Sequence, residues 1–432
     1  MKTKWSKYIF IFPVKNKMII YNYAWNSAVI VLNELYSILE ECKSNPNLIS
    51  DIHSSLYQDL VRRKIIIEDS ICEEEEVIKN IKLRLSDPST LRITINPTLD
   101  CNLRCWYCYE SHTEGKYINK TITTSILNFL ERSLNKKNLK KVELSFFGGE
   151  PLLRAHLNAI PVAKEIKKIC EKKKKKLSLH FTSNGVLLSS NIVDELCYLN
   201  IPISFQIPFD GNEEIHNKIK FMHNGEGCYS RILKNIDYAI ANHISINVRF
   251  NYGLETIDSF KEVIDDIMNL PHYNVNYIKI SLQRIWQCKN TLELEEKARE
   301  INDYSISNGL STFLSGNVSS NSYCYADYLN SYLFNYNGDV FKCTAREFSE
   351  KNRIGILNID GSISYLISPQ KLIKIRFKKE CKQCSLLPIC TICSQTHFES
   401  GNSIPCNISE EDKQGQIERK MKEQLKKYTD YV

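Results

Sequence analysis

No stretch of the 432 residues approaches the ~18 consecutive apolar residues of a membrane span, so no spanning helix is expected. The N-terminal sequence MKTKWSKYIFIFPVKNK has only a short apolar run, broken by Pro13 and followed by Lys15 and Lys17. It lacks a long hydrophobic region and a small-residue cleavage site, and does not read as a secretory signal. No internal repeat recurs at a solenoid period. An excess of one charge is lacking as well: 57 basic residues face 50 acidic ones, a net of +7 that is mild for this length and gives no reason to expect nucleic acid as partner. The Lys172–Lys176 run reads as the solvated end of a helix.

What the chain has in excess is cysteine, with 16 residues. In the absence of a secretion signal the expected compartment is the cytoplasm, where thiols stay reduced and clustered cysteines point to metal rather than to a disulfide framework.

The length suggests two or three domains, because single cores stop growing near ~250–300 residues. Residues 1–88 read as a hairpin of Tyr8–Val14 and Met18–Tyr21, followed by a helix within Ala24–Cys42, where Val29, Leu32, Leu35, Ile38 and Leu39 recur at helical spacing. A helix near Leu48–Arg62, a strand Lys64–Glu68 and an acidic helix Glu73–Arg84 complete the block, before a linker at Ser86–Ser89. This order of elements resembles a small winged-helix module. Residues 89–310 alternate strands (Leu91–Asn96, Lys141–Phe147, Leu177–Ser183, Ile203–Ile207, Ile244–Asn251, Tyr277–Leu282) with amphipathic helices such as Ile122–Leu134 and Ala155–Cys170. Six strand–helix repeats argue for an α/β fold with parallel strands in an open or closed barrel. Residues 311–410 are turn-rich and hold seven cysteines, and bound metal can supply the stability that long apolar runs do not. Residues 411–432 form a charged tail of helical pattern.

Cys101, Cys105 and Cys108 stand as CxxxCxxC directly after a predicted strand. Three thiolates on one tight loop can bind three irons of a cubane and leave the fourth without a protein ligand, and catalytic metals keep such an open position. On spacing alone, a zinc site short of one ligand or three buried free cysteines remain alternatives.

The loop, with the aromatic Tyr107 before its third cysteine, resembles the cluster motif of the radical S-adenosylmethionine (SAM) superfamily. Gly148-Gly149-Glu150-Pro151 resembles that family's glycine-rich segment at the end of the second strand, which contacts the cofactor's amino group. Ser183-Asn184-Gly185 resembles the strand-end motif near the ribose, and Arg249 and Asn251 sit where the family often places a polar pair on the cofactor. The resemblance implies a partial (β/α)6 barrel, with S-adenosyl-L-methionine and one catalytic 4Fe–4S cluster at the C-terminal strand ends, where barrel active sites lie.

The C-terminal cysteines Cys324, Cys343, Cys381, Cys384, Cys390, Cys393 and Cys406 resemble the SPASM domain, which carries two auxiliary 4Fe–4S clusters, although the last pair of the run is two residues apart where the family usually has three. The resemblance implies an outer cluster on Cys381, Cys384, Cys390 and Cys406 and an inner one on Cys324, Cys343 and Cys393, three clusters in all with the catalytic one. No further cysteine lies in 316–323, so the inner cluster has either an open iron or Cys288 as its fourth ligand. Two CxxC pairs are also a zinc signature. Cys42, Cys72, Cys170, Cys197 and Cys228 match no motif and are assigned none of the chemistry, free cysteine often being a small buried apolar residue.

The expected activity is reductive cleavage of the cofactor to a 5′-deoxyadenosyl radical, used to modify a ribosomally made peptide through a thioether or carbon–carbon crosslink. The first block would recognise the peptide's leader by strand addition; the plainer reading is that it caps the barrel. A flavodoxin or ferredoxin is the implied electron donor. An anaerobic sulfatase-maturating enzyme that makes formylglycine, and a non-catalytic iron–sulfur peptide-binding protein, are the competing functions. Asp210, in Asp210-Gly211, is read as making a turn, with a substrate-side base as the alternative.

Overall fold

The computed structural model describes residues 2–110, 112–222, 224–314, 323–406 and 408–429. The chain divides into two compact units. One comprises Met1–Ser86, Val318–Leu329 and Pro369–Val432, the other Asp87–Asn317 and Asn330–Ser368. The 311–410 segment is thus shared between both. No helix among the described residues is long and apolar enough to cross a membrane.

The larger unit is built on one sheet of eleven described strands. Thr90–Ile95, Lys141–Phe146, Lys176–Thr182, Ile203–Phe209, Ser245–Tyr252, Ile278–Arg284 and Ser311–Leu314 follow one another in sequence and in space, each parallel to the next. This is the α/β architecture expected, with one strand more than the six predicted. On the other side Ser331–Phe334 joins Thr90–Ile95 in parallel and begins an antiparallel meander through Asp339–Phe341, Gly355–Leu357 and Ile363–Tyr365. That meander lies where the sequence suggested only turns. Its strands are three or four residues long, too short to leave a periodic signal.

A parallel sheet covered on both faces reads as continuous apolar runs. Here the strands alternate: Leu91, Ile93 and Ile95 are buried while Arg92 and Thr94 are half-buried. The apolar face is dense, with the rings of Phe146, Phe181 and Phe205 stacked across neighbouring strands at 5.1 and 4.8 Å. The other face is polar: His180 Nδ1 meets Ser204 Oγ at 2.9 Å, and Asn247 donates to Gln206 at 3.2 Å. One face of the sheet is thereby left for chemistry.

In the smaller unit Ile9–Val14, Lys17–Asn22 and Ser27–Leu32 form a three-stranded antiparallel sheet, and Thr3–Trp5 pairs with Ile66–Glu68. The helix expected across Ala24–Cys42 is a strand followed by a helix, Asn33–Glu41. The Ser27–Leu32 stretch is rich in β-branched residues, which suit a pleated surface, and the sheet buries Val29 and Val31 while Ile30 and Leu32 stay exposed. The single helix expected near Leu48–Arg62 is two, Leu48–Ile52 and Ser54–Arg62, divided at His53, whose side chain accepts from Leu56 N. Both faces of the sheet are covered. Ile20, Val29 and Val31 pack with Leu39, Ile49 and Leu60, while Ile19 and Tyr21 pack with Val77, Ile81, Met421 and Leu425.

Candidate active site

The loop 97–110 follows strand Thr90–Ile95 at its C-terminal end and carries three free thiols. Cys101 is buried, Cys105 half-buried and Cys108 exposed. Cys108 N donates to Cys105 O at 3.1 Å, closing a turn, and Leu103 N points at Cys101 Sγ at 3.5 Å. Burial pushes the Cys101 thiol up to about 12, and the charges of Glu150, Cys105 and Cys108 add to it. Burial likewise raises Cys105 to about 11, against the pull of the Lys220 ammonium. Three thiols within electrostatic reach of one another would hold a cationic cluster as thiolates, binding being coupled to loss of their protons.

The glycine segment abuts this loop. Gly149 N donates to Thr98 O and Glu150 N to Asp100 O. A Cβ on Gly148 would lie 2.2 Å from Thr98 O and one on Gly149 2.2 Å from Asp100 O, so only glycine permits the approach. Gly148 also holds φ at +105°, a conformation costly to other residues. Glu150 is fully buried. Its carboxylate accepts from Leu152 N at 3.0 Å, Ser183 Oγ at 2.8 Å and Asn184 N at 2.8 Å. Burial lifts it to about 7 despite those bonds. In the free chain Glu150 thus anchors the second motif to the third. Asn184 reaches Asn102 Oδ1 at 2.8 Å and lies 3.8 Å from Cys101 Sγ, placing the strand-end motif against the cysteine loop.

Tyr107 is held from the far side of the sheet. Its hydroxyl donates to Asp210 Oδ1 at 2.7 Å and accepts from Asn251 Nδ2 at 3.1 Å, and Arg249 Nε donates to Asn251 Oδ1 at 3.0 Å. Asp210 does precede a turn glycine, Gly211 at φ +133°, but it also makes a buried ion pair. Lys220 Nζ lies 2.9 Å from Asp210 Oδ2, with side chains 2% and 0% exposed. Burial alone would lower Lys220; the Asp210 carboxylate outweighs it and raises the ammonium above its ordinary range. Sequence reasoning passed over Lys220, although the ten-residue step from Asp210 across helix Glu213–Ile219 is a signal that a strand-end acid meets a helix-end base.

Two more groups escaped the sequence. Both carboxylate oxygens of Glu110, two residues past Cys108, are buried without a hydrogen-bond partner, and burial pushes the group up to about 8. Tyr109 stacks on Trp286 at 5.2 Å, and its hydroxyl donates to Thr344 O, beside Cys343.

The remaining cysteines separate by unit. Cys343 belongs to the larger one, buried with Ala345 N on its sulfur at 3.3 Å. Cys324, Cys381, Cys384, Cys390, Cys393 and Cys406 belong to the smaller. Burial raises Cys381, and the charges of Cys390, Cys406 and Cys384 raise it further; Cys406 likewise feels Cys390 and Cys384. These four thiols therefore stand within electrostatic reach of one another. Cys324 and Cys393 share a hydrogen bond that pushes Cys393 down to about 6 and Cys324 up. Cys288 lies against Gly253 in the larger unit, where a Cβ would stand 2.8 Å from its sulfur. The stretch 315–322 is outside the described residues. Among the described residues, no three His, Cys, Asp or Glu side chains form a group able to hold a metal ion in the free chain.

Comparison with known proteins gives this arrangement a family. The Radical SAM superfamily model matches residues 95–267. The radical SAM cyclopropyl synthase TigE of Paramaledivibacter caminithermalis is 22% identical over 309 residues, 64% of this chain and 63% of that protein. A probable GTP 3′,8-cyclase of Methanocaldococcus jannaschii is 32% identical over 154 residues, 35% of this chain and 46% of that protein. The chain thus spans less than two thirds of either relative. Among solved structures, native anSMEcpe with bound AdoMet and Kp18Cys peptide superposes with a TM-score of 0.60 at 17% identity, covering 79% of this chain and all of that one. Streptococcus suis SuiB bound to S-adenosylmethionine gives 0.51 at 16%, covering 94% and 100%. The fold is theirs, and the match from 95 to 267 takes in the cysteine loop and its supports: the chain carries a domain of the radical SAM superfamily.

Proposed function

We propose that the chain is a radical SAM enzyme that matures a ribosomally made peptide. The observation that carries this reading is that Glu150, Ser183 and Asn184, at the ends of two neighbouring parallel strands, meet the loop that bears Cys101, Cys105 and Cys108. Bound there, a 4Fe–4S cluster and S-adenosyl-L-methionine supply the one-electron cleavage that yields a 5′-deoxyadenosyl radical. The chain's own residues prepare the place. Gly148 and Gly149 let the second strand's end press on the loop, Glu150 locks Ser183 and Asn184 beside Cys101, and Asp210 with Asn251 fixes Tyr107. Arg249 and Asn251 line the polar face where the cofactor is expected. Cys381, Cys384, Cys390 and Cys406 hold one auxiliary cluster, and Cys324 and Cys393 contribute to a second, as in a SPASM domain.

A peptide as substrate is supported by two neighbours of the same fold whose structures contain one, SuiB with precursor peptide SuiA and anSMEcpe with Kp18Cys. In this chain the three-stranded sheet of the smaller unit ends in strand Ser27–Leu32, an edge to which an extended leader adds as a fourth strand. A flavodoxin or ferredoxin delivers the electron, and the cytoplasm is the compartment.

The test is an anaerobic incubation of the reconstituted full chain with S-adenosylmethionine, dithionite and each short peptide found encoded near its gene. Mass spectrometry showing loss of two hydrogens per crosslink supports the reading. An unchanged peptide, with formylglycine formed instead on a sulfatase-derived peptide, favours sulfatase maturation and contradicts it.

A further inference from the structure

Two ion pairs among the described residues are almost wholly buried: Lys220–Asp210 and Arg376–Asp327, the latter with side chains 4% and 1% exposed. Drying two charges costs several kcal/mol per ion before their attraction returns it, so stability alone is a weak reason for such a pair. The bonds that Asp327 and Arg376 make point to another reason. Arg376 Nη1 donates to Asp327 Oδ2 at 2.7 Å, and Nη2 donates to the Cys390 carbonyl at 2.6 Å. Asp327 Oδ1 accepts from Ser394 N at 2.7 Å, and Asp327 N donates to Cys324 O at 2.9 Å. The ring of Tyr323 lies under the guanidinium at 5.4 Å. Two chain segments far apart in sequence are joined by these bonds, the turn that begins at Cys324 and the loop that bears Cys390 and Cys393. All of them belong to the smaller unit.

The division of labour at Cys393 is informative. It occupies the position before helix Ser394–Glu399 where a capping side chain usually stands. Asp327 instead takes the Ser394 N–H, and the Cys393 sulfur faces Thr396 Oγ1 at 3.4 Å and the Cys324 thiol.

We propose that Asp327 and Arg376 are the positioning residues of the auxiliary cluster to which Cys324 and Cys393 contribute, joining the two cysteine-bearing segments before metal arrives and setting a carboxylate beside both sulfurs. The inference rests on the reading of these cysteines as auxiliary-cluster ligands. The pair is neutral overall but not symmetric. The Asp327 carboxylate is bound to the backbone N–H next to Cys393, and the Asp327 backbone N–H to the Cys324 carbonyl, while the guanidinium is turned to the Cys390 carbonyl. A negative group beside a cluster opposes an added electron, so Asp327 holds that cluster's reduction potential down.

The experiment uses the full chain with Cys101, Cys105 and Cys108 all changed to Ala, so that only auxiliary clusters assemble. Iron is counted after anaerobic reconstitution, and the clusters are titrated redox-potentiometrically by electron paramagnetic resonance. This background is expected to hold about eight irons, two four-iron clusters. Asp327→Asn keeps an acceptor for Ser394 N and removes the charge; iron stays, and one midpoint rises while the other does not. Asp327→Ala combined with Arg376→Met removes the ties without leaving a buried charge. Iron then falls to about four, the signal of one cluster is lost while that of the other remains, and thermal unfolding of the metal-free chain shows the fold kept. Full iron with two unshifted midpoints in both variants overturns the proposal. If the double variant does not fold, an unshifted midpoint in Asp327→Asn overturns it alone. A background that holds fewer than two clusters, or zinc, overturns the auxiliary-cluster reading itself, and is seen before Asp327 is touched.

Discussion

The Lys220 ammonium and Asp210 carboxylate are almost wholly buried, and Asp210 holds the hydroxyl of Tyr107 in the middle of the cysteine motif. Removing one partner leaves the other charge dry and uncompensated. Lys220→Met is therefore expected to destabilise the metal-free chain by about 3–5 kcal/mol, measured by denaturant unfolding. Adding Asp210→Asn should recover most of that loss, because a neutral pair carries no stranded charge. At Gly149 the expected defect is local. The Cβ of Gly149→Ala would meet Asp100 O, so the loop must move outward. The variant should lose more than about 1 kcal/mol of stability. It should also retain less iron in the cysteine loop than the parent, with far-ultraviolet circular dichroism little changed.

The parallel strands of the larger unit are legible because an apolar residue at every second position states both the element and its buried face. The predicted strand Ile203–Ile207 and the observed Ile203–Phe209 differ only at the end where the chain runs into Asp210. Ser27–Leu32 was misread because its apolar residues also fit a helical step into Leu35 and Leu39. The β-branched Val29, Ile30 and Val31 decide for the pleat, and the helix begins only at Asn33. In the site, motif residues were legible and their partners were not. Cysteine spacing is local, whereas the bonds of Tyr107 to Asp210 and of Glu150 to Ser183 and Asn184 depend on which strands lie side by side. Under the proposed strand addition, exposed Ile30 on the edge strand Ser27–Leu32 is the apolar contact for the leader peptide. Ile30→Asp should weaken binding of the cognate leader about tenfold or more, a loss of roughly 1.4 kcal/mol, measured by fluorescence anisotropy with the fold unchanged. Undiminished binding would remove this strand from peptide recognition.

Across the whole chain, acid stability follows from histidines buried neutral. His216 is wholly buried, and burial, aided by Lys220, pulls it from 6.5 to about 3. Its folded pKa lies below its unfolded one, so the unfolded chain takes up the proton first as pH falls. The associated stability is complete above about 6.5 and is lost progressively toward 3. In the metal-free chain, His216→Gln should shrink the drop in unfolding free energy between pH 7 and pH 5 by about 2 kcal/mol.

The central claim is that the Cys101, Cys105 and Cys108 loop serves radical chemistry, and one measurement meets it directly. The chain is reconstituted anaerobically with iron and sulfide, given S-adenosylmethionine and dithionite, and analysed by liquid chromatography–mass spectrometry for 5′-deoxyadenosine beside a Cys105→Ala control. The account predicts about twelve irons per chain, with 5′-deoxyadenosine from the unsubstituted chain alone. Bound zinc and no 5′-deoxyadenosine from either chain would contradict it.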